Sequence, residues 1–228
     1  WDDDLDIGMF RDDYEKFITL FGNKFTDKYV ISTPGGKGKS KTRFTKVIKK
    51  NTIFKELMTT QDNELNGIFI DVFPIDNVPA NKVVRTIKGI KADIYAYISS
   101  QVFTYYNKNP DLIKVLKRTG KFNYSVRMII GRLFSLKNPD WWFEHFDKCI
   151  QYSRKNTQYC TIAAGRKHYF GEIIERSKIE PARLVEFCGL AVPIFGDVES
   201  YLSNMYGDYM KIPAIAKREK HYIKDLKF

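Results

Sequence analysis

The stretch GIFIDVFPID (67–76) constrains this chain more than any other. Six of its first seven residues are apolar or glycine, and Pro74 marks the expected end of the run, so it reads as a buried strand. One residue breaks the pattern. Asp71 puts a carboxylate in the middle of that strand, which is costly unless the charge is paired or bound to a metal.

The chain also opens on an acidic cluster, WDDDLDIGMF, with Asp2, Asp3, Asp4 and Asp6 crowded ahead of apolar side chains. Asp4-Leu5-Asp6-Ile7 alternates like a half-buried strand, which sends Asp4 and Asp6 to one face. Residues i and i+2 of a strand lie about 6.5–7 Å apart and point the same way, so this pair can close on a divalent cation from two sides. Without a cation the two carboxylates repel. Magnesium suits such a site, with hard oxygen ligands, one or two carboxylates and positions left for water and substrate phosphates; manganese is the alternative. Asp71 is the expected third ligand, and Asp2, on the face of Asp4, an outer contact. Asp3 points the other way and reads as a turn or solvated residue. A solvated acidic turn is the competing account of the whole cluster.

Length and composition set the frame. With 228 residues, 43% of them hydrophobic, one domain with a substantial core is expected. No run of eighteen uncharged apolar residues exists, so no spanning helix is expected. Cys149, Cys160 and Cys188 lack metal-ligand spacing and read as buried thiols in a reducing cytoplasm. The net charge of +11, with basic runs at 37–50 and 211–227, suits phosphates, an acidic membrane surface or nucleic acid, or is simply a solvated surface. A chain beginning at Trp1 without Met is expected to be part of something longer.

Along the chain, a helix is expected from about Asp12, with Tyr14, Phe17, Ile18, Phe21 and Phe25 on one stripe. Strands are expected at 29–33, 43–49, 159–163 and 190–194. Helical patterns cover 80–106, 111–118 and 124–136, and another starts at Asn138-Pro139. A last helix begins near Val198 and ends at Gly207. The predicted class is α+β, divided into a metal-site core (about 1–78), a helical block (about 79–157) and a C-terminal α/β part (about 158–228).

Several motifs carry two readings. PGGKGKSKT (34–42) lacks the glycine that a phosphate loop needs five residues before Gly-Lys-Ser, so it reads as a hairpin turn. Arg11 is placed either on a phosphate or in an ion pair with the acidic cluster. Asp76 reads as a turn or cap. Trp142, Phe146, Cys149 and Ile150 share a helical stripe, which leaves Trp141 off it as a cation–π contact for a quaternary ammonium. Lys217, Arg218 and His221 either meet a polyphosphate or form a basic tail.

The opening block WDDDLDIGMFRDDYEKF closely resembles the signature of the LicD family, which includes bacterial phosphocholine transferases and the fukutin-related proteins. The resemblance continues through GIFIDVFPIDNVP (67–79), GLAVPIFGDVESYLSNMYGDYMKIP (189–213), Arg218 and His221. The family is similar to the nucleotidyltransferases, whose Asp-x-Asp strand and later third carboxylate map onto Asp4, Asp6 and Asp71. The resemblance implies a nucleotidyltransferase-like mixed β-sheet core and metal-dependent catalysis by those three carboxylates. It implies transfer of phosphocholine from CDP-choline to a hydroxyl of a cell-surface glycan, such as teichoic acid, lipopolysaccharide or capsule, or of its lipid-linked precursor. No nucleic-acid partner is expected, and the protein is expected to be cytoplasmic with peripheral contact at the inner membrane face. Family members carry a glycine-containing loop ahead of the Trp-Asp-Asp block, so this chain is expected to be N-terminally truncated. Two other classes stay open: a metal-dependent glycosyltransferase using the same Asp-x-Asp pair, and a non-catalytic polyanion-binding module. Asp71 on a second strand favours the first reading.

Overall fold

The computed structural model describes residues 5–35, 42–56, 65–107, 110, 113–114, 117, 121–153, 155–215, 218 and 223–228. Asp2, Asp3, Asp4, Lys217 and His221, most of the lysine-glycine turn and most of the 111–118 helix lie outside the described residues. The class is mixed α+β, as expected.

The main sheet is organised around β5 (Phe69–Val78), the longest described strand. β1 (Asp6–Phe10) runs parallel to it, and β3 (Thr45–Lys49) runs antiparallel and hands on to β2 (Tyr29–Ser32). Its last three residues pair with β6 (Tyr159–Thr161), which pairs in turn with β7 (Ile173–Glu175). Two small antiparallel ribbons complete the strands: β4 (Ile53–Glu56) with β10 (Ile223–Lys227), and β8 (Arg183–Phe187) with β9 (Leu190–Ile194).

Two expectations about β5 are corrected. Pro74 does not end the strand; it lies within it, opposite Met9 of β1. The Asp71 N–H points to Leu5 O on the β1 side, so by alternation the position of Pro74 faces the β3 side. Pairing with β3 has already stopped at Val72, so the missing N–H breaks no rung there. Nor is Asp76 a turn residue. It is a buried member of β5 opposite Thr161.

Helix α1 (Arg11–Lys24) leaves β1 with no intervening loop. Its Tyr14 is buried and shares a 2.6 Å hydrogen bond with the Thr45 hydroxyl, while Phe17, Phe21 and Phe25 stack along the expected stripe. The helical layer is built on α2 (Lys82–Tyr106), capped by the Asn81 side chain, which accepts from the N–H groups of Val83 and Val84. Ala92, Ala96 and Val102 of α2 are small enough to let Trp142, Phe146 and Ile150 of α4 (Pro139–Ile150) pack closely. Asn138 caps α4 and Pro139 occupies its first position, as the sequence predicts. Between them α3 (Lys121–Leu133) crosses the C-terminal half of α2. A Cβ on its Gly131 would fall 2.5 Å from the Gln101 carbonyl, so only glycine fits there. Short helices α5 (His168–Gly171) and α6 (Arg176–Ile179) lead to α7 (Val198–Tyr206), which ends at Gly207 with φ 71°. Among the described residues no helix is long and apolar enough to cross a membrane.

Candidate functional site

Three strands set a row of charges on the sheet. Asp6 of β1 stands in register with Asp71 of β5, and Lys46 of β3 stands in register with Asp71 on its other side. Adjacent strands are about 4.8 Å apart and in-register residues share a face, so Asp71 has Asp6 and Lys46 as its immediate neighbours on either side. Asp71 is buried, with its Oδ1 3.3 Å from Lys46 Nζ; that ammonium also lies 3.2 Å from the centre of the Phe69 ring. Asp6 is exposed at the start of its strand. The arrangement pairs one open and one covered carboxylate beside a fixed cation.

Asp6 and Asp71 therefore come together as the sequence predicts, while Asp4 and Asp2 lie outside the described residues. Among the described residues no three carboxylate, histidine or cysteine side chains form a metal-binding group. The two described carboxylates fit a hard divalent cation as part of a ligand set, with hard oxygen donors on one face and one of them solvent-open.

A further acid, which the sequence analysis missed, faces the same region. Glu172, just after α5, is buried; it accepts a 3.0 Å hydrogen bond from the Lys167 N–H and a 3.3 Å one from the Tyr201 hydroxyl of α7. Burial pushes its carboxyl group above the ordinary range, and the charge of Asp6 adds to the rise. The Tyr201 hydroxyl is pushed up as well, by burial first and then by Glu172, with a smaller contribution from Asp6. Both groups thus sense the Asp6 carboxylate. A cleft of about 320 Å³ opens beside them, lined also by Tyr159, Lys178 and Asn204. The available signal was a glutamate beside Ile173 and Ile174, but it sits among elements too short to show a period.

The remaining expected residues are placed elsewhere. Arg11 takes the ion-pair role, with different carboxylates from those expected. Its Nε and Nη2 donate to Asp76 at 2.8 and 2.7 Å, and its Nη1 donates to Asp147 of α4 at 2.9 Å. Burial opposes the charge on this guanidinium, but the two carboxylates outweigh that and hold it protonated. Trp141 lies in the helical layer, stacked on His145 at 3.6 Å between ring centres, with the Lys137 ammonium 5.7 Å from its ring. Arg218 donates to the Pro213 carbonyl at 3.0 Å. Of the cysteines, Cys160 is buried, Cys149 half-buried and Cys188 exposed, which corrects the expectation of three buried thiols.

No protein-family model matches the chain, and no solved structure matches it. Among curated proteins it is similar to the lipopolysaccharide cholinephosphotransferase LicD of Haemophilus influenzae. The two are 22% identical over 229 residues, covering 99% of this chain and 80% of that protein. The likeness runs the length of a chain whose opening block and β5 segment already resemble the LicD family, and it supports membership of that family.

Proposed function

We propose that the protein is a phosphocholine transferase that takes a CDP-activated donor, CDP-choline first, and modifies a hydroxyl of lipopolysaccharide or a related surface glycan. The register pairing of Asp6 with Asp71, beside Lys46, carries this reading, because it gathers two carboxylates and a cation of the kind a metal-bound diphosphate needs. The similarity to a lipopolysaccharide cholinephosphotransferase supports the transferred group and the acceptor class. In this proposal the core is nucleotidyltransferase-like, and Asp4, Asp6 and Asp71 would hold Mg²⁺ or Mn²⁺. Such an ion, when bound, stabilises negative charge on the attacking and leaving oxygens of a phosphoryl transfer. Lys46 pairs with the Asp71 carboxylate at 3.3 Å. In this reading Asp71, covered from solvent, would orient the acceptor hydroxyl, and Asp6, exposed at the start of its strand, would meet the donor.

The test is CMP release and choline incorporation with CDP-choline, Mg²⁺ and lipopolysaccharide. Asp6→Asn and Asp71→Asn should each reduce turnover to background while circular dichroism stays unchanged. Near-normal turnover in either variant, or preferential use of a UDP- or GDP-sugar, would overturn the proposal.

A further inference from the structure

One helix presents an apolar face outward. Val83, Ile87, Ile90, Ile94 and Tyr97 of α2 recur at three- and four-residue spacing, and each is between 48% and 66% exposed. At 1.5 Å per residue this stripe runs about 21 Å along the helix. On the same angular face, Gln101 and Tyr105 are covered by Gly131 of α3, so the stripe ends where α3 begins. Beyond it α3 exposes Ile129 and Leu133, and Leu136 just after the helix is 95% exposed. A folded protein gains nothing from holding such a row in water.

Charge shows what would cover it. Residues 79–137 contain twelve Lys or Arg against two Asp or Glu, a net +10 of the whole chain's +11. Lys82 and Lys91 flank the stripe and are exposed. Lys88 is turned inward onto the carbonyls of Cys149 and Gln151, and of the two acids Asp93 interacts with Arg43. An aliphatic row with basic flanks is the pattern of a helix that lies in the interface of an anionic bilayer, apolar side down and lysines at the phosphates.

We propose that the outward face of α2, with the basic surface around it, docks the protein onto an anionic lipid surface. The docking does not depend on the transferase reading, since it uses none of the residues of the candidate site. A lipid-linked glycan would meet the protein on such a surface, but the test is of binding alone.

The probe is vesicles of phosphatidylglycerol with phosphatidylcholine, compared with phosphatidylcholine alone, in a co-sedimentation assay. Wild type should bind the anionic vesicles and release as salt rises. Ile87→Ser with Ile94→Ser should weaken binding about tenfold or more, since two side chains no longer enter the apolar layer. Lys82→Glu with Lys91→Glu should lose the preference for anionic lipid. Leu184→Ser, at an exposed apolar position on the β8–β9 ribbon, should bind as wild type does. All these positions are at the surface, and unchanged melting curves check the fold. Failure of wild type to sediment with anionic vesicles would overturn the proposal, as would stripe variants that bind undiminished. Self-association of wild type in sedimentation equilibrium that the stripe variants abolish would assign the face to a second copy instead.

Discussion

Lys46 and Asp71 face each other across the β3–β5 ladder at a position where the backbones exchange no hydrogen bond. Their side chains approach there to 3.3 Å between Nζ and Oδ1. The pair changes the stability expected at Asp71. A carboxylate among apolar neighbours and a second acid would be relieved by neutralisation, but one with its own ammonium is not. Asp71→Asn should destabilise the metal-free protein by roughly 1–3 kcal/mol, because it strands a largely covered ammonium. Adding Lys46→Met should recover part of that loss. Urea denaturation of both single variants and the double variant measures the coupling. Additive losses would show that the two side chains do not interact energetically.

The Arg11–Asp76 pair lies deeper, with side-chain exposures of 11% and 1%. Asp76→Asn should cost about 3 kcal/mol, since it removes the bidentate acceptor and leaves only Asp147 for a buried guanidinium. Asp13→Asn, on an exposed pair with Lys16, should change stability by less than about 0.5 kcal/mol. Equal effects of the two substitutions would remove the buried network from the stabilising core.

Glu172 makes a pH prediction. Burial raises its pKa above the ordinary 4.5, so the folded state favours the protonated carboxyl. The favourable contribution is complete below 4.5 and is lost as pH rises through the raised folded value. Relative to Glu172→Gln, wild type should therefore lose stability across that interval and then level off. Denaturation curves at a series of pH values give the difference directly, and a flat difference would contradict the assignment.

Cys188 and Gly189 form the two-residue turn between β8 and β9, with φ 52° and 78°. Positive φ at both positions is the geometry that Asn-Gly prefers, and cysteine adopts it at a cost. Cys188→Asn should stabilise the protein by roughly 0.5–1 kcal/mol. The same exposure makes Cys188 the first thiol to react with a maleimide. Cys160, whose pKa burial raises to about 11, should react only after unfolding. Mass spectrometry after brief labelling reads the order.

What the sequence made legible follows from where a single period dominates. Asp71 stood out because its apolar neighbours on β5 marked a carboxylate away from solvent, and Asp6 because it alternates with Leu5 and Ile7. Asn138-Pro139 and Gly207 marked helix ends because their chemistry is local. Lys46 was not recognisable, since one lysine among several in a basic segment shows no sign of the strand it faces. Pro74 and Asp76 were misread because their tolerance depends on other segments: β3 ends before the first, and Arg11 arrives at the second. Glu172 depends on a contact with Tyr201, 29 positions away, that no local pattern encodes.

The spacing between two contacts has one more consequence. Asp6 and Arg11 are five residues apart, as are Asp71 and Asp76, and each member of the first pair meets its counterpart in the second. Between them the parallel ladder joins Ile7, Gly8, Met9 and Phe10 to Val72, Phe73, Pro74 and Ile75, side chains that specify alignment only weakly. A slip of one residue would turn Asp6 to the opposite side of the sheet from Asp71. The buried guanidinium forbids that slip, because it meets both Asp76 oxygens at only one alignment. Arg11 thus acts as a vernier stop. Without touching Asp6 or Asp71, it fixes which acid stands next to which.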